Sequence, residues 1–212
     1  MTTTGFKTPA EALEVLLAGN LRFVAGTSAH PNQDAARRAE LAPGQRPFAV
    51  LLGCSDSRLA AEIIFDQGLG DLFVVRTAGH VLGPEVLGSI EYGTSVLDCR
   101  LVVVLGHDSC GAVAAARAAV EDGLPTTGYV RDVVERVTPS VLAARAAGLE
   151  ADSDFIDVHV RHTVDVLLDR SRVLADQVAS GHAAVVGLAY HLAEGNTRIV
   201  TAHGLPAAQP AV

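Results

Sequence analysis

The chain has 212 residues, 49% hydrophobic and 19% charged, a balance that suits a single globular domain spanning 1–212 and excludes a disordered chain. A formal net charge of -8, without clustered Lys and Arg, excludes a nucleic-acid surface and leaves a small ligand as the expected partner. No apolar run reaches the ~20 residues of a membrane span, and Met1 to Lys7 carries no apolar signal core. Three cysteines are too few for a disulfide scaffold, so a cytoplasmic protein with no membrane partner is expected.

Pro9 to Phe23 places Ala12, Leu13, Leu16, Leu17 and Leu21 at helical spacing and predicts an amphipathic helix. A polar stretch, Gly26 to Gln33, reads as mobile. A short helix then runs from Asp34 to Leu41 and stops at Pro43-Gly44. This helical arm, residues 1–45, has little core of its own, and a neighbouring subunit is the surface expected to receive it.

The pattern changes at Phe48. Phe48 to Leu52, Leu72 to Val75 and Leu101 to Leu105 read as buried strands, with helices at Leu59 to Asp66, Pro84 to Leu97 and Ser109 to Glu121. Such alternation predicts an α/β fold: a doubly wound, mainly parallel sheet flanked by helices. Arg131 to Gly148 and Asp154 to Ala179 read as helices. Ala183 to Leu192 and Thr197 to Ala202, joined across Glu194-Gly195-Asn196, read as a strand pair that closes the sheet. The core is therefore 46–205, and a Pro-containing tail, 206–212, is expected to fray.

Two clusters begin where buried strands end. Cys54-Ser55-Asp56-Ser57-Arg58 follows the first strand, and His107-Asp108-Ser109-Cys110-Gly111 follows the third. In a sheet ordered 2-1-3 these strands are neighbours whose connections leave on opposite faces, which opens a ligand crevice. One turn can aim His107 and Cys110 at one ion, and Cys54 supplies a third ligand. Two thiolates and an imidazole favour zinc over Mg or Ca, which prefer oxygen.

The fourth position has two readings. With Asp56 as a ligand the site is closed and negatively charged. If Arg58 takes the carboxylate in a bidentate pair, a position stays open for water, as catalytic zinc requires. Cys99 is expected to be an inert neighbour of the sheet. His80, His159, His162 and His203 are expected to be surface or hydrogen-bonded core residues.

C-S-D-S-R at Cys54 to Arg58 and H-D-S-C-G at His107 to Gly111 resemble the β-class carbonic anhydrases. So do Gly44-Gln45-Arg46-Pro47, Phe73 to Gly79 and Ser89-Ile90-Glu91-Tyr92. The resemblance implies reversible hydration of carbon dioxide to bicarbonate and a proton, by attack of zinc hydroxide, with one Zn2+ per subunit. It matches Cys54, His107 and Cys110 to zinc ligands, and Asp56 and Arg58 to a catalytic dyad that gates the metal. It matches Gln45 to a glutamine that reaches substrate from the neighbouring subunit. Phe73, Ala78 and Tyr92 match the apolar pocket, and Gly111 matches a backbone N–H near substrate. A homodimer, or a tetramer built from dimers, is implied. A second, non-catalytic bicarbonate pocket in some members uses a tryptophan, but this chain has none. Leu51 stands there, while Arg76 matches another member of that pocket.

Three rival readings fit the sequence less well. A cysteine phosphatase loop puts five residues between Cys and Arg to cradle phosphate, but only three intervene here, and one is acidic. A structural or storage zinc site explains the metal and leaves Arg58 and Gln45 unexplained. Relatives acting on carbon disulfide or carbonyl sulfide share the ligands and are the minor option.

Overall fold

A computed structural model describes residues 8–205; the expectations for 1–7 and for the tail lie outside them. Five strands, β1 (Ala49–Cys54), β2 (Leu72–Thr77), β3 (Leu101–His107), β4 (Ala184–Tyr190) and β5 (Thr197–His203), form one sheet ordered β2-β1-β3-β4-β5. All pairs are parallel except β4 with β5. Every residue of β1, β3 and β4 is buried, because helices cover both faces, and this is why they read as unbroken apolar runs. β1 lies between β2 and β3, so the chain reverses its winding there and opens the expected crevice at the C-terminal strand ends.

Helix α1 (Pro9–Val24) starts at a reciprocal cap in which the Thr8 hydroxyl accepts from Glu11 N and the Glu11 carboxylate accepts from Thr8 N. Helix α2 (Ala35–Leu41) is capped by Asp34. The arm does not wait for a neighbour. Ala12, Leu13 and Leu16 of α1 are buried within the core of their own chain. The Asn20 amide donates to the carbonyls of Ile64 and Gly195 and accepts from Thr197 N, stitching α1 to the β4–β5 turn. The segment after α1 is also held. Asp66 accepts from Ala29 N, His30 N and Arg22 Nε, and Asp71 accepts from the Asn32 amide. Burial alone would raise the Asp66 pKa, but these donors outweigh it and hold the carboxylate below its ordinary range.

Two predicted helices are revised. The helix at 59–66 shrinks to the single turn α3 (Ala61–Ile64), because Arg58 N and Leu59 N bond back to Asp56 and form a turn instead. The long helix at 154–179 divides into α7 (Asp152–Arg170) and α8 (Arg172–Ala179). Ser171 between them is extended; its hydroxyl accepts from Leu174 N, capping α8, and donates to Glu91. A 3₁₀ turn (Ala78–His80), α4 (Pro84–Ser95), α5 (Gly111–Glu121) and α6 (Val130–Ala146) complete the layers.

Candidate metal centre

β1 and β3 are hydrogen-bonded neighbours, so Cys54 at the end of one and His107 at the end of the other emerge side by side. Ser109 adopts a positive φ of 53°, which turns the chain back so that Cys110, the N-cap of α5, faces them. The three ligand atoms lie within 4.8 Å of one another, and all three residues are buried.

The hydrogen bonding fits a cation. His107 Nδ1 lies 2.7 Å from the carbonyl oxygen of Asp108, which can only accept, so Nδ1 carries the proton. Nε2 is then a lone-pair donor, and it is buried without a hydrogen-bond partner. An orphaned buried acceptor costs about 1–3 kcal/mol, a cost removed by an ion held between this nitrogen and two sulfurs. The neighbouring Cys110 thiol, together with the backbone N–H groups of Asp56 and Gly79, lowers the Cys54 pKa well below that of a free thiol against the opposing effect of burial. Cys110, as the donor and buried, is pushed up. Cys54 is therefore prepared as a thiolate and Cys110 becomes one on exchanging its proton for a metal.

Asp56 is not part of the three-residue group. Arg58 grips it bidentately, Nε to Oδ1 at 2.9 Å and Nη2 to Oδ2 at 2.7 Å, and the backbone N–H of Arg58 donates to Oδ1 at 2.9 Å. The guanidinium holds this carboxyl well below the usual carboxylate range. Arg58 also reaches the carbonyl of Ser109, tying the first loop to the second. Arg76 donates to the carbonyls of Cys54 and Asp56, and Leu51 is buried in the core.

The expected pocket residues divide. Ala78 and Gly111 flank the ligands, one directly after β2 and the other directly after Cys110. Phe73 pairs with Val50, four residues before Cys54, and its ring is 6.0 Å from that of Tyr92 on the edge of the sheet. Gln45 precedes β1, a strand that spans roughly 17 Å at ~3.3 Å per residue. Gln45 is thus at the opposite end of β1 from the ligands of its own chain. Cys99 is buried, donates to the carbonyl of Pro47 and is pushed up to about 12 by burial and by Asp98, in keeping with an inert role.

The histidine expectations hold for His159, a hydrogen-bonded core residue, but not for His80, which is buried with both ring nitrogens unpartnered. Gly79 was missed as a site residue. Its N–H donates to Cys54 Sγ at 3.3 Å, and its φ is 62°. The only signal for it was Ala-Gly at a strand end, a turn mark.

The family model described as carbonic anhydrase matches residues 49–197. The chain is 58% identical to carbonic anhydrase 2 of Mycobacterium tuberculosis over 187 residues, covering 88% of this chain and 90% of that one. It is 56% identical to carbonic anhydrase of Mycolicibacterium smegmatis over 191 residues, covering 90% and 93%. Among solved structures, the β-carbonic anhydrase CafA of Aspergillus fumigatus superposes with a TM-score of 0.67 at 28% identity, covering 93% of this chain and 92% of that one. A structure from a study of two tetrameric β-carbonic anhydrases of Sordaria macrospora shares the fold, with a TM-score of 0.68 at 23% identity over 89% and 96%.

Proposed function

The chain belongs to the β-carbonic anhydrase family and is a carbonic anhydrase; from that premise, we propose that Cys54, His107 and Cys110 hold one zinc ion while Asp56 and Arg58 keep a fourth position open. The observation that carries this reading is the unpartnered Nε2 of His107 next to a carboxylate already engaged by Arg58. Zinc, when bound, supplies the Lewis acidity that makes water nucleophilic near neutral pH, for which carbonic anhydrases with three His ligands are the standing example.

The protein groups do the rest. Arg58, through two charge-assisted bonds, draws Asp56 away from the thiolates, whose negative charge repels it in any case. Held there as an anion, Asp56 accepts a hydrogen bond from the attacking water and points its lone pair at the substrate carbon. Carbon dioxide is apolar, so the rings of Phe73 and Tyr92 and the methyl of Ala78 suit it. The N–H of Gly111 and the amide of Gln45 suit the oxygens of bicarbonate.

Gln45 and Phe73 lie toward the opposite end of β1 from the ligands of their own chain, with Tyr92 beside Phe73, and this supports a second copy as their route to a zinc site. β2 is an edge strand whose apolar side chains are only half-buried, a surface that proteins normally cover. A homodimer formed there places these residues over the partner's metal, and pairs of dimers then give a tetramer. Three free cysteines suit a reducing, cytoplasmic setting.

The test is oxygen-isotope exchange between carbon dioxide and water by zinc-loaded protein and by Asp56→Ala. The variant should keep its zinc and lose roughly a hundredfold or more in rate, as removal of a positioned proton acceptor does. Retained zinc with unchanged turnover would remove Asp56 from the mechanism.

A further inference from the structure

Beneath the thiolate lies a hydrogen-bonded chain that the reaction itself does not use. The Ser140 hydroxyl on α6 is 2.9 Å from His159 Nδ1 on α7, and His159 Nε2 is 2.8 Å from the carbonyl oxygen of Gly79. Gly79 N in turn donates to Cys54 Sγ. The direction is fixed by chemistry. A carbonyl only accepts, so His159 carries its proton on Nε2, and Nδ1 accepts from Ser140. Burial holds His159 neutral, its pKa drawn down to about 4, which keeps one nitrogen a donor and the other an acceptor.

Gly79 is the link between the imidazole and the sulfur. Its left-handed φ of 62° is open to glycine, and a Cβ there would lie 2.7 Å from Ala112 Cβ on α5, so the residue sits wedged under the first turn of that helix. Its N–H faces a sulfur and its C=O faces an imidazole, and together the two bonds fix both flanking peptides. His80 packs its ring on His159 with centroids 4.4 Å apart, bracing it from the next position in the chain.

We propose that His159 is a positioning residue of the metal centre: oriented by Ser140, it holds Gly79 so that its N–H is aimed at the Cys54 thiolate. An N–H donor on a metal thiolate withdraws charge from sulfur and fixes its lone pairs, so the ligand reaches the ion preorganised. This rests on the zinc reading given above. Groups bonded directly to a metal ligand typically change metal affinity by about 10–100-fold when lost, and His159, acting one link further out through Gly79, falls at the lower end of that range.

The experiment compares wild type, His159→Phe, His159→Gln and Ser140→Ala. Zinc affinity is measured by chelator competition, and cobalt-substituted protein reports the thiolate charge-transfer band. His159→Phe keeps the ring volume and removes both bonds; zinc should bind roughly 10-fold more weakly, and the band should move to lower energy as sulfur donates more freely. The amide of His159→Gln can donate to Gly79 and accept from Ser140, so it should restore most of the affinity and the band. Ser140→Ala removes the hydroxyl that orients the ring and leaves Nδ1 buried without a donor, so it should weaken zinc binding and shift the band in the same direction as His159→Phe. Unchanged affinity and spectrum in His159→Phe, or a His159→Gln variant as impaired as His159→Phe, overturns the proposal. If His159→Phe does not fold, Ser140→Ala decides: wild-type affinity and spectrum overturn it, and weakening with a shifted band supports it. Wild-type protein that fails to take up zinc would instead sink the metal reading itself.

Discussion

Gly79→Ala puts a methyl group where the backbone and the packing both resist it. At a φ of 62° an L side chain costs about 1–2 kcal/mol. The new Cβ would stand 2.7 Å from Ala112 Cβ, against about 3.5–4.0 Å for carbon atoms in contact, so α5 or the 3₁₀ turn must give way, at about 1–3 kcal/mol. Together the loss is about 2–5 kcal/mol. With a urea slope near ~2 kcal/mol/M, the unfolding midpoint of metal-free protein should fall by roughly 1–2.5 M. Gly88→Ala is the control. Gly88 is exposed on α4, has nothing within 4 Å of its ideal Cβ and no positive φ, so the change should add about 0.5–1 kcal/mol through helix propensity. A Gly79→Ala midpoint equal to wild type, or an equal loss in Gly88→Ala, would refute the packing argument.

Acid should weaken the fold through His159. Its folded value is about 4 against 6.5 for the free side chain, mainly because burial disfavours the cation. As pH falls the unfolded chain takes the proton first, so this stability is complete above about pH 6.5, declines through the interval and is gone below about pH 4. At 1.36 kcal/mol per pKa unit the effect is about 3 kcal/mol, and His80, also buried and neutral, acts in the same direction. Urea midpoints of metal-free protein across this range should fall less steeply in His159→Gln; equal slopes would contradict the assignment. Subunit mixing tests the shared site. Gln45→Ala and Asp56→Ala proteins, each impaired alone, should regain activity when dissociated and reassociated together, because a mixed dimer contains one intact site. No gain beyond the average of the two would place Gln45 outside the partner's site.

The sheet was legible because burial on both faces demands unbroken apolar runs, as in Leu101 to Leu105. The metal cluster was legible because its ligands fall at two strand ends with spacing that one turn can close. What escaped depended on distant partners. The stretch after α1 looks mobile by composition, yet Asp66 lies beneath it and satisfies its backbone. Ser171 does not interrupt a helical pattern by its type alone; its bond to Glu91, 80 residues away, favours the break. The same separation hides the tie between His159 and Gly79. The arm has little core of its own and on sequence alone points to a neighbouring subunit, but Asn20 finds its partners in Ile64, Gly195 and Thr197 of the same chain.

The most direct measurement is the zinc shell of the loaded protein, seen crystallographically with anomalous scattering at about pH 8.5, where a water acidified by the metal is ionised. The shell should consist of sulfur from Cys54 and Cys110, nitrogen from His107 and one solvent oxygen, with Asp56 still paired to Arg58. An Asp56 oxygen on the metal at that pH, or zinc bound elsewhere, would contradict it.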